Sequence, residues 1–136
     1  MSVEIDIEYI GGLKTRAIHG PSGSVLTTSA PKDNEGDGST FSPTDLCTTS
    51  LGTCIVTVMA IAARKHGVEL DGTKLHLEKI MSADLPRRIA RIPVTLTMPA
   101  GVPAELRERL ERAAHACPVQ QAIGGNVQVE LTFVWG

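Results

Sequence analysis

Aromatic residues are scarce in this 136-residue chain: they make up 3% of it, with one Trp, one Tyr and two Phe. Proteins that bind nucleic acids by stacking on bases need exposed aromatic rings. Proteins that follow a phosphate backbone need a basic surface. The net charge is −2 and no basic cluster stands out, so the composition argues against both modes of nucleic-acid binding.

Cysteine is also rare, with three residues in an odd count. A small secreted domain held together by disulfides usually has an even count and follows a secretory leader, and the sequence shows neither. We therefore expect a cytoplasmic protein. Disulfides in that compartment are usually transient and catalytic.

Charged residues are missing from positions 46–63. Eighteen uncharged residues are close to the lower limit for a membrane-spanning helix. The run contains five Ser and Thr residues, however, and has no positive flank at its N-terminal end. A helix buried within a protein core explains it better than a membrane span does.

The hydrophobic pattern predicts a single α+β domain over residues 1–136 with mainly antiparallel strand pairing. Acidic and apolar residues alternate from Val3 to Tyr9, as in a half-buried strand. The predicted strands cover residues 3–9, 13–19, 24–29, 73–81, 88–98 and 127–134, and the predicted helices cover 43–66, a segment from 103 that ends before 118, and 118–123. Pro93 lies inside a predicted strand, which favours an edge position or a bulge there.

The first helix has a clear start and end. Ser42 can cap it, Pro43 suits the first helical position and Asp45 completes a pattern like the capping box. Gly67 ends it. Because this helix is apolar nearly all round, it has to be surrounded, which indicates a dimer in which helices pack together.

Helix geometry limits which cysteines can form a disulfide. Cys47 and Cys54 are seven residues apart on the first helix, about 10 Å along its axis. A disulfide needs Cα atoms within about 7 Å, so any intramolecular bridge involves Cys117. Cys54 is the natural candidate for its partner, and Cys47 is most simply a small core residue.

A reactive thiolate at Cys54 would need a cation, because the helix dipole fades after the first turn. Arg16, Arg88 and Arg91 are the candidates, each with the alternative of a solvated strand face. His115 could act as a base or cover the surface. A metal site built from Cys54, Cys117 and His115 matches no usual zinc spacing.

Three spaced motifs make the sequence resemble the OsmC/Ohr family, the osmotically inducible and organic hydroperoxide resistance proteins. They are Phe-Ser-Pro-Thr-Asp-Leu at 41–46, Ser-Leu-Gly-Thr-Cys at 50–54 and Cys-Pro-Val at 117–119. The similarity extends over almost the whole chain and is closest to the YhfA-like branch. It implies an intertwined homodimer in which curved antiparallel sheets wrap around long central helices.

The resemblance also implies a function. Cys54 would be the peroxidatic thiol of an organic hydroperoxide peroxidase, and Cys117 would form a disulfide with it. A dithiol, of the lipoyl type in well-studied members, would then reduce that disulfide. The resemblance implies no metal and no prosthetic group.

The supporting arginine and carboxylate depart from the family pattern. The family places Glu directly after the helix-opening proline, where this chain has Thr44, followed by Asp45. The family arginine follows the Gly-Gly turn, where this chain has Leu13, and Arg16 comes three residues later. Arg16 and Asp45 are therefore the candidate catalytic partners. The same departures motivate an alternative, a non-catalytic OsmC-like protein that binds a lipid-like ligand in an apolar dimer cleft.

Overall fold

The computed structural model describes residues 1–136. Contacts within the chain divide it into two compact units, Met1–Leu46 and Cys47–Gly136. Helices and strands are mixed, and every strand pair except one is antiparallel, which confirms the α+β assignment. The single-domain assignment stays a prediction.

A three-stranded antiparallel sheet dominates the first unit. Its strands are β1 (Ile5–Gly11), β2 (Lys14–His19) and β3 (Val25–Ser29), in that order. Gly11 and Gly12 turn the chain at φ values of +87° and +64°, which glycine adopts without strain. Glu8 lies opposite Arg16, and Ile7 lies opposite Ala17. Since side chains alternate along a strand, the charged and apolar residues of β1 occupy opposite faces of the sheet.

The first helix, α1 (Pro43–Arg64), begins as the sequence predicts. The backbone N–H of Asp45 donates to Ser42 Oγ at 3.1 Å, and the Ser42 N–H donates to Asp45 Oδ2 at 2.9 Å. This reciprocal pair is a capping box, which satisfies two N–H groups that the helix itself leaves without partners. Regular helix ends two residues before the predicted His66, and Gly67 takes the left-handed conformation after it.

One side of α1 is completely buried, through Leu51, Ile55, Met59 and Ala63. The other side, which includes Ile61, is exposed in the single chain. α1 is the one helix with the length and apolar character of a membrane span. Of its most apolar stretch of 18 residues, 33% is buried in the structure. Core helices of soluble proteins meet the same criteria, and the buried side is what we expect of one.

The second unit contains a four-stranded sheet, with strands β4 (Lys74–Leu77), β5 (Ile80–Met81), β6 (Ile89–Thr97) and β7 (Gln128–Val134). Strand β6 is central: β4 and β5 pair with it antiparallel, and β7 pairs with it parallel. The parallel pair follows from the helical connection between β6 and β7, since a crossover returns the chain in the same direction.

Pro93 lies in this central strand and not at an edge. The single strand predicted over residues 73–81 is in fact two, since β4 ends at Leu77 opposite Val94 and β5 begins at Ile80. Pro93 lies beside this interruption, where its carbonyl accepts a hydrogen bond from the Glu78 N–H at 3.2 Å. The break in the neighbouring strand accommodates a residue that has no N–H to donate.

Two further helices complete the second unit, α2 (Ala104–Ala114) and α3 (Pro118–Ile123). Both were predicted at these positions. The core of the unit is aliphatic, as the shortage of aromatic residues requires, and joins the buried side of α1 to β6 and α2. Its fully buried large side chains include Leu51, Ile55, Met59, Ile92, Leu96 and Leu110.

Candidate active site

Cys54 lies in the middle of α1, beside the side of the helix that forms the core. Its neighbours Leu51 and Ile55 are completely buried, whereas Cys54 is half-buried. Backbone N–H groups at this position are committed to the bonds of the helix. Local structure therefore supplies Cys54 with an apolar setting and some access to solvent, but with no free backbone donor.

Cys117 caps the N-terminus of α3. Pro118 occupies the first position of the helix, and the N–H of Gln120 donates to Cys117 Sγ at 3.3 Å. Cys117 is fully buried, with 0% exposure. A sulfur thus takes the place in which an oxygen side chain usually accepts the first free N–H groups of a helix.

The fold brings Cys54 and Cys117 together although 62 residues separate them in the chain. Burial raises the pKa of the Cys117 thiol, while the Gln120 N–H acts in the opposite direction. The neighbouring Cys54 side chain, as a hydrogen-bonding partner, raises this pKa further. All three cysteines are free thiols in this structure.

The burial of the two thiols differs from what the residues around each of them suggest. The uncharged run around Cys54 suggests the more enclosed thiol, and the Cys-Pro sequence suggests that Cys117 is the thiol favoured as an anion. In the structure Cys117 is the enclosed thiol, and burial outweighs the helix terminus in its pKa.

The candidate arginines are engaged with carboxylates. Arg16 pairs with Glu8 at 2.9 Å on the charged face of the first sheet. In the second unit Arg91 pairs with Glu130 at 2.9 Å, and Arg88 lies 3.1 Å from an oxygen of Asp84. The support of Cys54 by Arg16 stays a prediction.

The remaining candidate residues are Asp45, Cys47 and His115. Asp45 forms the capping box of α1 described above. Cys47 is half-buried and packs against the core of the second unit. His115 is exposed. No group of three or more His, Cys, Asp and Glu side chains could hold a metal ion.

Gln120 also belongs to the surroundings of Cys117, although it is not among the residues predicted from the sequence. A residue three positions after an N-cap presents its N–H to the capping side chain, and the Cys-Pro start of α3 is the signal that could have revealed this. The side-chain oxygen of Gln120 is buried and has no hydrogen-bond partner.

Comparison with known proteins gives a consistent assignment. The family model described as OsmC-like protein matches residues 36–132. No functionally curated protein matches the sequence significantly. A crystal structure from Psychrobacter arcticus, of a protein assigned provisionally to the osmotic stress and detoxification response, has 34% sequence identity and a TM-score of 0.89. The match covers 95% of this chain and 93% of that one.

Two more distant structures are similar in fold. An organic hydroperoxide resistance protein, OsmC, from Legionella pneumophila is 20% identical with a TM-score of 0.77, and the match covers 98% of this chain and 97% of that one. The organic hydroperoxide resistance protein OhrB of Bacillus subtilis is 19% identical with a TM-score of 0.71, and 98% of each chain is covered. The YhfA-like branch stays a prediction. The match to the family model over most of the sequence, together with the 34% identity to the Psychrobacter protein, establishes that the chain belongs to the OsmC-like protein family.

Proposed function

We propose that the protein is a thiol-dependent peroxidase that reduces organic hydroperoxides to alcohols in oxidative-stress defence. Cys54 is the attacking thiol and Cys117 is the resolving thiol. The observation that carries this proposal is the proximity of the two reduced side chains in one unit of the structure, where Cys54 acts on the Cys117 thiol as a neighbouring group. The hydroperoxide resistance proteins of the same fold support the choice of substrate.

The chemistry takes two steps at this site. The Cys54 thiolate attacks the terminal oxygen of the hydroperoxide, which breaks the O–O bond, releases the alcohol and leaves a sulfenic acid on Cys54. Cys117 then attacks the Cys54 sulfur, and water leaves as the Cys54–Cys117 disulfide forms. A dithiol of the lipoyl type returns the protein to its reduced state by exchange.

The surroundings of Cys54 favour an organic substrate over hydrogen peroxide. Val58, one turn after Cys54 on the same side of α1, is apolar and partly exposed. An alkyl group gains free energy when it leaves water for such a lining, whereas hydrogen peroxide has no apolar part.

The active form is a cytoplasmic homodimer in this proposal. Apolar side chains on one face of the first sheet support it: Ile5, Ile7 and Tyr9 are all exposed in the single chain. Exposed apolar residues clustered on one face are typical of a surface that a partner covers.

Titration with one equivalent of cumene hydroperoxide tests the proposed activity. We expect two of the three free thiols to disappear and a disulfide to link the tryptic peptides 33–64 and 113–136. Peptide 33–64 contains both Cys47 and Cys54, so the experiment is repeated with the Cys47→Ser variant.

Variants then assign the roles. Cys54→Ser should consume no peroxide, Cys117→Ser should consume one equivalent and stop at the sulfenic acid, and Cys47→Ser should behave as the wild type. Full peroxide consumption by Cys54→Ser would refute the proposal.

The second candidate function is the binding of a lipid-like ligand without catalysis. A groove of about 320 Å³ runs along the second half of α1 and favours this candidate; it is lined by Val56, Thr57, Ala60, Ile61, Arg64, Glu69, Leu70 and Asp71. Native mass spectrometry of the purified protein distinguishes the two functions. A co-purified ligand, with no thiol oxidised by any peroxide, would favour binding.

A further inference from the structure

The two sulfurs of the candidate site differ sharply in access. Cys117 has 0% exposure, and Cys54 on α1 is half-buried. An external thiolate has to reach one sulfur of a disulfide in line with the S–S bond, so access helps to decide which sulfur it attacks. From the burial of the two residues in the single chain, we expect the Cys54 sulfur to be the more accessible one in a Cys54–Cys117 disulfide.

The two sulfurs also differ in the hydrogen-bond donors around them. The Gln120 N–H donates to Cys117 Sγ at 3.3 Å, and the N–H of Val119 acts on the same sulfur. Cys54 has no comparable donors, because α1 uses the backbone N–H groups around it. These donors offset part of the cost that burial imposes on a charge at Cys117, but burial still raises its pKa, so the difference in access is what directs the attack.

We propose that the reducing dithiol attacks the sulfur of Cys54 and expels Cys117. This inference rests on the proposed function, because it presumes the Cys54–Cys117 disulfide. The new S–S bond joins the reductant to Cys54, and the electron pair of the broken bond goes to Cys117, which takes up the proton lost by the attacking thiol. The second thiol of the reductant then attacks its own sulfur in the mixed disulfide, which releases Cys54 and leaves the reductant as a cyclic disulfide.

This order of events explains why a dithiol suits the site. Burial raises the pKa of Cys117, so the expelled sulfur is held as a neutral thiol, which attacks disulfides poorly. The mixed disulfide on Cys54 therefore waits for a second thiol supplied by the reductant. A monothiol has none to supply within the same molecule, and its adduct should accumulate.

A small monothiol identifies the sulfur that is attacked. The Cys47→Ala variant is oxidised with diamide, treated briefly with 2-mercaptoethanol and quenched with N-ethylmaleimide in denaturant. In this variant tryptic peptide 33–64 contains only Cys54, and peptide 113–136 contains only Cys117. We expect about tenfold more mercaptoethanol on peptide 33–64 than on peptide 113–136, with N-ethylmaleimide on the latter. An equal or greater share of mercaptoethanol on Cys117 would overturn the inference.

The same oxidised variant, treated in 6 M guanidinium chloride, serves as the control. Since unfolding exposes both sulfurs, mercaptoethanol should be distributed over both peptides in comparable amounts. An unchanged preference in the denatured chain would show that the fold does not direct the attack, and would also overturn the inference. Diamide makes the disulfide without a peroxide, so an adduct on Cys117 refutes this inference alone, whereas failure to form any disulfide refutes the proposed function as well.

Discussion

At the scale of single residues, the two thiols divide the work through their settings. Cys54 keeps access to solvent because it lies at the flank of α1, whereas Cys117 is sealed in the core of the second unit. Helix α3 gives Cys117 an N–H donor, yet burial dominates its pKa. This difference in access agrees with the attacking and resolving roles that the family resemblance implies and that we propose.

The raised pKa of Cys117 predicts a pH dependence of stability. Burial is the main cause that raises this pKa above its ordinary value of 9.0, and the Cys54 side chain also raises it. The folded state therefore favours the neutral thiol. That contribution to stability is complete below pH 9.0 and is lost as the pH rises through and above that value. We expect the difference in free energy of unfolding between wild type and Cys117→Ala to shrink between pH 7 and pH 10.

Denaturant titrations of both proteins at each pH measure this difference. Each is kept reduced so that no disulfide forms. A difference that is constant or grows with pH would show that Cys117 ionises as easily in the folded chain as in the unfolded chain.

At the scale of elements, the start of α1 assigns Asp45 a structural part. Its carboxylate accepts the Ser42 N–H, and its own N–H donates to Ser42 Oγ. The sequence left two roles open for Asp45, helix cap and catalytic carboxylate. The capping geometry is what the structure provides.

Loss of the cap should therefore affect stability more than chemistry. We expect Ser42→Ala and Asp45→Ala each to lower the free energy of unfolding by about 1 kcal/mol, because each leaves helix N–H groups without a partner. The matched control is Ser50→Ala, whose exposed hydroxyl donates to the Cys47 carbonyl within the helix and should cost less than about 0.5 kcal/mol. Complete loss of peroxide consumption in a folded Asp45→Ala variant would instead assign it a catalytic role.

The packing of α1 against β4 depends on Gly52. A Cβ atom at this position would lie 2.9 Å and 3.1 Å from the two methyl groups of Leu77. We expect Gly52→Val to lower the free energy of unfolding by about 2 kcal/mol through overpacking. Gly52→Ala should cost less, since alanine regains about 1 kcal/mol of helix propensity.

A double variant tests the cause of this cost. Leu77→Ala removes the methyl groups that the new side chain would meet, so the cost of Gly52→Val should fall in that background. Denaturant unfolding of the four proteins in the cycle gives the coupling energy. Independent, additive effects would contradict the proposed close approach.

At the scale of the whole molecule, the exposed apolar face of the first sheet predicts a partner. Ile7 on this face is 69% exposed in the single chain. We expect light scattering to give twice the 14.4 kDa chain mass for the wild type, and the mass of one chain for Ile7→Glu. A charge on a buried apolar interface has to be desolvated, which opposes association.

Thr27→Glu is the matched control, because Thr27 is exposed on the opposite, charged face and lies across from Arg16. It should leave the mass of the wild type unchanged. A monomeric wild type, or an Ile7→Glu variant that still dimerises, would refute this assignment of the interface.

Much of the fold can be predicted because its signals are local. Alternation in β1, the cap at Ser42 and the proline at the start of α3 each act within a few residues. The division of residues 73–81 into two strands could not be predicted. It depends on Pro93, a residue of a different strand, and so on a pairing that only the folded sheet creates.

The sequence by itself determined the order of helices and strands apart from the division of residues 73–81, the starts of α1 and α3, and the need for Cys117 in any disulfide within the chain. These follow from side-chain periodicity, from capping residues and from the distance between Cys47 and Cys54 along one helix. Only the tertiary structure decided which thiol is buried and which is accessible, because burial depends on residues far apart in the chain. Cys117 is enclosed when α3 packs into the core of the second unit, and no pattern near it in the sequence records that contact.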